Sequence, residues 1–315
     1  MVLTKSRLDC VRINLELQVK HGDLQKFDKV VFLLNDVSAQ HMAYVDQFIA
    51  AHPEVSFDKV LGNGTRPQGI AKMQNDCIER YPDHLYFKTD EDVFPSAGWV
   101  DKLEAAYLAH QDDNDLGLIT PIAPNNGIGC YYLLTHLPEL RTKYDAAFDF
   151  PVVPDYEAPV WLQPSLGRFM TRQFVDLAAG SRLLEDRFGL SFDRTKALYF
   201  SHRFTINCIC YDYRHYRQMG RIPDSDEPGW TQWAADHGKH HVLVPNVLVH
   251  HYSFFVQQDW MDRSHLLEDI RAANLPGTIG GKSSWSYQVP WMKRVLKQAP
   301  RAVVRKFKHL AGRSS

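Results

Sequence analysis

The chain has no long apolar run. Nowhere do its 315 residues approach the ~20 consecutive apolar positions that span a bilayer, and MVLTKSRLDC at the start lacks the apolar core of a signal peptide. Cysteine is scarce, with five residues at 10, 77, 130, 208 and 210. The set is odd in number and scattered, and Cys208 and Cys210 would share one face of a strand, a poor geometry for a bridge. It predicts no structural disulfide and a reducing, cytoplasmic setting. Acid is missing from one end altogether: Arg271 to Ser315 holds ten Lys or Arg and no Asp or Glu. The formal net charge of −1 therefore hides a body, residues 1–270, that carries −11. Such an end implies an anionic partner surface. No recognised nucleic-acid motif accompanies the charge, so nucleic acid is not expected and a membrane surface is favoured. With 44% hydrophobic and 23% charged residues, the composition is that of a globular enzyme. The length suits one large α/β domain with a C-terminal appendage.

What is present concentrates in His84 to Trp99, HLYFKTDEDVFPSAGW. Leu85, Tyr86 and Phe87 form a short apolar run of strand character. It ends in Asp90, Glu91 and Asp92, and Pro95, Ser96 and Gly98 then mark a turn before a helix. Three carboxylates at the mouth of a buried strand repel one another and are costly to desolvate unless something positive joins them. A divalent cation, Mn²⁺ or Mg²⁺, answers that demand with oxygen ligands and leaves positions open for phosphate. The plain alternative is an acidic turn on a solvated surface; the core-type strand before it and the aromatic-rich loop after it argue otherwise.

Asp90-Glu91-Asp92 after an apolar strand resembles the D-x-D signature of GT-A fold glycosyltransferases, especially family 2-like bacterial enzymes. The order of elements from 1 to about 260 is similar too. Phe27 to Asn35 reads as a buried strand ending in Asn35-Asp36, where an open α/β sheet binds its ligands. His41 to Ala51 reads as a helix and Val55 to Leu61 as a strand. Gly62 to Gly69 is a loop by composition, and Ile70 to Arg80 is a helix leading into the acidic strand. Arg7 to Val19 stays open: its position suggests a helix, while Val11, Ile13, Leu15, Leu17 and Val19 alternate like a strand. Trp99 to His110 predicts a helix, and Leu116 to Pro121 a strand opening into the turn 123–127. Residues 132–160 predict acceptor-side loops and short helices. Ser165 to Gly189 is helical in period, 197–211 reads as strand, and Tyr213 to Met219 as a turn or short helix.

The resemblance implies an α/β fold of nucleotide-diphospho-sugar transferase type, with a mixed Rossmann-like sheet flanked by helices and a C-terminal helical tail. The GT-A domain would span 1–265, its nucleotide half about 1–122 and its acceptor half about 123–265, with 266–315 a basic helical extension. It also implies a nucleoside pocket at the first two strand ends. Thr4, Arg7, Asn35 and Asp36 match those places, although the first strand is so short that the chain reads as if begun a few residues late. Arg66 and Lys72 would contact the donor's anionic part, with Asp90 and Glu91 beside it.

A second acidic pair, Asp226-Glu227 in MGRIPDSDEPGWTQWAADHG, matches the family's carboxylate after a Gly-containing turn and before a helix. A sugar hydroxyl is a poor nucleophile until a carboxylate takes its proton during attack. Asp226 is favoured as that base and Glu227 is retained; the plain alternative is that the pair caps the helix running through Trp230 and Trp233. Strand-like HVLVPNVLVHHYSFF then ends at His250-His251. Many GT-A enzymes place a histidine metal ligand there, and imidazole beside carboxylates suits Mn²⁺. Neighbouring strand residues face opposite ways, so one of the pair would reach the metal, and His251 is favoured. Asp92 and His251 would hold it, with Asp90 reaching it through water or holding the ribose. The resemblance implies transfer of a sugar, with inversion, from a nucleotide-sugar donor to a saccharide or lipid-linked acceptor in cell-surface polysaccharide or glycolipid synthesis. A nucleotidyltransferase would need a Gly-rich, Lys-bearing signature that is missing near the first strand. A catalytically silent saccharide-binding relative would be expected to lack the metal or base acids. In the tail, 289–298 and 301–310 read as amphipathic helices broken at Pro300. Val303, Val304, Phe307 and Leu310 share a face flanked by basic residues, as in a helix lying on the inner face of a membrane.

Overall fold

A computed structural model describes residues 1–155, 157–201, 205–252 and 257–277. Of these, the residues within Met1–Pro276 belong to one compact unit. The tail helices expected at 289–298 and 301–310 lie outside the described residues. The compact unit includes a helix, Leu266–Asn274, that the sequence reading assigns to the extension; its Leu266 and Ile270 are buried.

Among the described residues nine strands build a single mixed sheet: β1 Val2–Thr4, β2 Val30–Asn35, β3 Phe57–Gly62, β4 Leu85–Asp90, β5 Val93–Pro95, β6 Leu116–Ile122, β7 Leu198–Phe200, β8 Cys208–Asp212 and β9 His240–His251. The order is β3-β2-β1-β4-β8-β6-β9-β5, with β7 paired to β9. β1 to β4 are mutually parallel, β8 runs against both β4 and β6, and β6 and β9 are parallel. All six residues of β2, VVFLLN, are buried, as expected where helices cover both faces. Val30, Phe32 and Leu34 pack into one cluster and Val31 and Leu33 into another, the period-2 alternation of a strand.

This topology places the carboxyl ends of β1, β2, β3, β4, β6 and β9 along one edge, where β8 begins. The acidic turn does more than end β4. Three residues beyond Asp90 the chain pairs again as β5, antiparallel to the end of β9, with Val93 opposite His251 and Phe94 opposite His250. The two motifs are thus neighbours because of a strand pairing.

The open stretch near the start is a helix, Leu8–His21, in which eight residues are buried. A helix buried on most sides loses its apolar stripe, so chance alternation can imitate a strand. The described part of 132–160, expected to hold loops and short helices, takes in the end of one helix, Gly127–His136, and a second, Pro138–Ala147. Ser165 to Gly189 divides into Pro164–Arg172 and Leu177–Phe188, where Asp176 caps the second helix through the amide of Ala179. The strands β7 and β8 fall in the described part of the 197–211 region, and Tyr213–Met219 is a helix.

Candidate active site

Asp90, Asp92 and His251 each offer a ligand atom, and these atoms lie within 4.8 Å of one another. His251 Nε2 is 3.6 Å from Asp92 Oδ1, and both side chains are about nine-tenths buried, with 8% and 10% exposed. The β5–β9 pairing holds them, reinforced by the amide of Tyr252 donating to Asp92 O at 2.8 Å. Burial pushes the Asp90 carboxyl up; nearby Lys88 opposes this and Asp92 adds to it. Burial also lowers His251 to about 4, so near neutrality its ring is uncharged with a lone pair to offer. Two carboxylates and a neutral imidazole form a donor set suited to Mn²⁺. His250 points to the other face of β9, where its Nε2 is 2.7 Å from Phe174 O; it is not in the cluster, as strand alternation requires.

A residue not singled out in the sequence joins this cluster to the second acidic motif. Lys88 is 1% exposed, and its Nζ donates to Asp90 Oδ1 and to Ile206 O, each at 2.7 Å. Asp226 and Glu227 add to the electrostatic hold on this ammonium. The Ile206 amide in turn faces Glu227 Oε2 at 3.4 Å. One buried cation therefore lies among the metal-side and base-side acids. Asp226 opens the helix Glu227–Asp236, yet its side chain makes no capping bond. Instead its Oδ1 accepts from Gln74 Nε2 at 2.9 Å. Burial raises the proton affinity of Asp226, with Lys88 and Gln74 pulling the other way, a useful bias for a general base.

The residues expected to bind the nucleotide separate into wall and lining. Glu91 is buried and turned inward: it accepts from Thr4 Oγ1 at 2.6 Å, the Lys5 amide at 2.9 Å and the Ser6 amide at 3.1 Å. Thr4 Oγ1 also meets His41 Nε2 at 2.8 Å. This knot fixes the turn after β1. Asn35 shapes the next loop, accepting from the Gly64 amide at 2.9 Å and donating to Thr65 O at 3.3 Å. A side chain at Gly62 would collide with Met73 and Asn35, its Cβ lying 2.4 Å from Met73 Sδ. Arg7 pairs with Asp9 and Asp262 at 2.8 and 3.1 Å, with its guanidinium 5.3 Å from the Tyr252 ring centroid. Lys72, expected to contact the donor's anionic part, pairs its ammonium with Asp76, one turn toward the helix C-terminus. Asp36 and Arg66 are exposed on the edge. A lysine inside an apolar strand, as in LYFKTD, was the available signal for Lys88. Gln74 had none, lying within an ordinary amphipathic helix.

No protein-family model and no curated protein matches this sequence. Among solved structures, the chain is similar to the mannosyltransferase PcManGT from Pyrobaculum calidifontis, a complex with GDP-Man and Mn²⁺. The identity is 12% and the TM-score 0.46, over 86% of this chain and 63% of that one. It is also similar to GalNAc-T7 with UDP, GalNAc and Mn²⁺, at 10% identity and TM-score 0.48, over 85% of this chain and 47% of that one. For S. aureus TarS the values are 8% and 0.43, over 84% and 38%. The chain spans less than two thirds of the length of each of these three.

Proposed function

We propose that this protein is a metal-dependent glycosyltransferase of GT-A type, transferring a sugar from a nucleotide-sugar donor to a saccharide or lipid-linked acceptor. The observation that carries the reading is the convergence of Asp90, Asp92 and His251 at the carboxyl edge of the sheet, with a further carboxylate, Asp226, close enough to act on the same Lys88 ammonium that Asp90 holds. A ligand-binding edge, a hard-metal donor set and a separate base are the parts that this transfer needs.

Asp92, His251 and Asp90 would hold a divalent cation, which when bound neutralises the diphosphate and eases its departure. The protein's own groups do the rest. The Asn35 and Glu91 knots hold the two loops that would flank the nucleoside. Asp226 takes the proton of the acceptor hydroxyl as its oxygen bonds to the sugar's anomeric carbon. The bond from that carbon to the donor phosphate breaks, and its electron pair leaves with the diphosphate. With one base and no second nucleophile assigned, displacement is direct and inverts the anomeric carbon. The basic tail would bring the enzyme to an anionic leaflet carrying a lipid-linked acceptor. Among the described residues no helix is long and apolar enough to cross a membrane.

The test is donor turnover by the purified full chain across UDP-, GDP- and dTDP-sugars, with Mn²⁺, Mg²⁺ or EDTA. Hydrolysis or transfer from one donor class, abolished by EDTA and restored by Mn²⁺, is expected. Inactivity with every donor, or turnover indifferent to EDTA, would reject the reading.

A further inference from the structure

Gln74 is fully buried in the helix Gln68–Arg80, and its contacts are unusual for a core amide. Its Nε2 donates to Asp226 Oδ1 at 2.9 Å and makes a longer contact to Ile70 O at 3.4 Å. Its Oε1 is buried and, among the described residues, has no hydrogen-bond partner. Exchanging the amide's oxygen and nitrogen would set Oε1 against a carboxylate oxygen, so Asp226 fixes this orientation. A buried acceptor left unmade is costly, and an apolar side chain of the same length would avoid that cost. The amide is therefore explained by its one strong partner.

Holding the loop together does not explain it. The next residue, Asn75, already does that with a closed pair of bonds, accepting from Ile222 N and donating to Ile222 O, each at 2.9 Å. The Asp226 amide is also held, at 2.7 Å from Pro223 O. With the backbone pinned by other groups, Gln74 acts on the carboxylate alone.

Resting on the proposed transfer and on Asp226 as its base, we propose that Gln74 is a positioning residue that holds one oxygen of Asp226 and leaves the other for the acceptor hydroxyl. Among the described residues, the charged and titratable groups that act on Asp226 include Lys88 on β4, Tyr211 on β8 and Glu227 beside it in sequence. None of them is altered by a change at position 74. Removing the amide takes away a donor that favours the ionised carboxylate, so the proton affinity of the base rises.

The experiment measures donor turnover against pH at saturating Mn²⁺, using the full chain carrying Gln74→Met or Gln74→Glu, with wild type and Asp226→Asn alongside. Gln74→Met should lower kcat roughly tenfold near pH 6 and less near pH 8. Its acid limb moves to higher pH while the donor KM stays within about twofold of wild type. Gln74→Glu is isosteric and keeps the test open if the methionine variant does not fold. It places a second carboxyl beside Asp226 and should also move the limb to higher pH. A uniform loss across pH, or an unmoved limb in the folded variants, overturns the positioning role. If wild type turns over and Asp226→Asn does not, such a result removes Gln74's role alone. Inactive wild type, or fully active Asp226→Asn, removes the functional reading and this inference together.

Discussion

At Asp226 the order of stability usual for alanine and glycine in a helix should reverse. Asp226 has φ 55° and ψ −123°, backbone that glycine adopts freely and a residue with a Cβ adopts only under strain. Such conformations cost on the order of 1–3 kcal/mol. Asp226→Ala and Asp226→Gly both remove the carboxylate and the 2.9 Å bond from Gln74, so those losses cancel in the comparison and the backbone remains. Gly at an ordinary exposed helix position is roughly 0.5–1 kcal/mol worse than Ala. Here Gly should be better by about 1–2 kcal/mol, or roughly 2–8 °C in melting temperature for a unit of this size. Thermal and urea unfolding of the two variants measure the difference. Both should lack transferase activity, so the more stable protein would be an inactive one. Alanine equal to or more stable than glycine would refute the strain and with it the idea that the fold holds this carboxylate at a cost.

Acid should destabilise the fold through His215, which is 3% exposed and accepts the Trp230 Nε1 proton at 2.9 Å. Burial lowers it to about 4 against ~6.5 unfolded, so the unfolded chain binds the extra proton; about 3 kcal/mol is lost as pH falls from 6.5 to 4, and urea midpoints of His215→Gln should fall less steeply over that window. Asp226→Asn should keep donor affinity near wild type and lower turnover by ~10²–10⁴; if Glu227→Gln shows that loss and Asp226→Asn does not, the base is Glu227. The ten basic residues from 271 onward should carry the full chain onto anionic vesicles, each contributing roughly 1 kcal/mol near the surface, with binding fading as salt rises; equal sedimentation of a chain ending at Gln288 would reject the tail as an anchor.

The parts of this molecule legible in sequence are those whose signal is local. β2 and β9 announce themselves because strands covered on both faces need unbroken apolar runs, and the acids of β4 and histidines of β9 stand out at the ends of such runs. The choice between His250 and His251 needs only strand alternation. The rest depends on partners remote in sequence. β5 is three residues long and is a strand only because the end of β9 lies beside it. The helix Leu8–His21 is hidden because burial on most sides erases its stripe. Lys88 reads as an interruption in a core strand until Ile206, 118 residues away, supplies its second acceptor. Glu91 belongs to the acidic triplet by sequence, yet the turn after β1 claims its carboxylate.

The central claim is that Asp92 and His251 bind a metal needed to hold a nucleotide diphosphate. Calorimetric titration of UDP and GDP into the full chain, with and without Mn²⁺, tests it directly. One nucleotide should bind wild type only when Mn²⁺ is present. Asp92→Ala should remain folded and lose that binding, because removing one carboxylate also relieves local repulsion. His251→Ala should weaken it more than His250→Ala, whose ring is engaged with Phe174 O. Full Mn²⁺-dependent affinity in Asp92→Ala, or a greater loss in His250→Ala than in His251→Ala, would contradict the site.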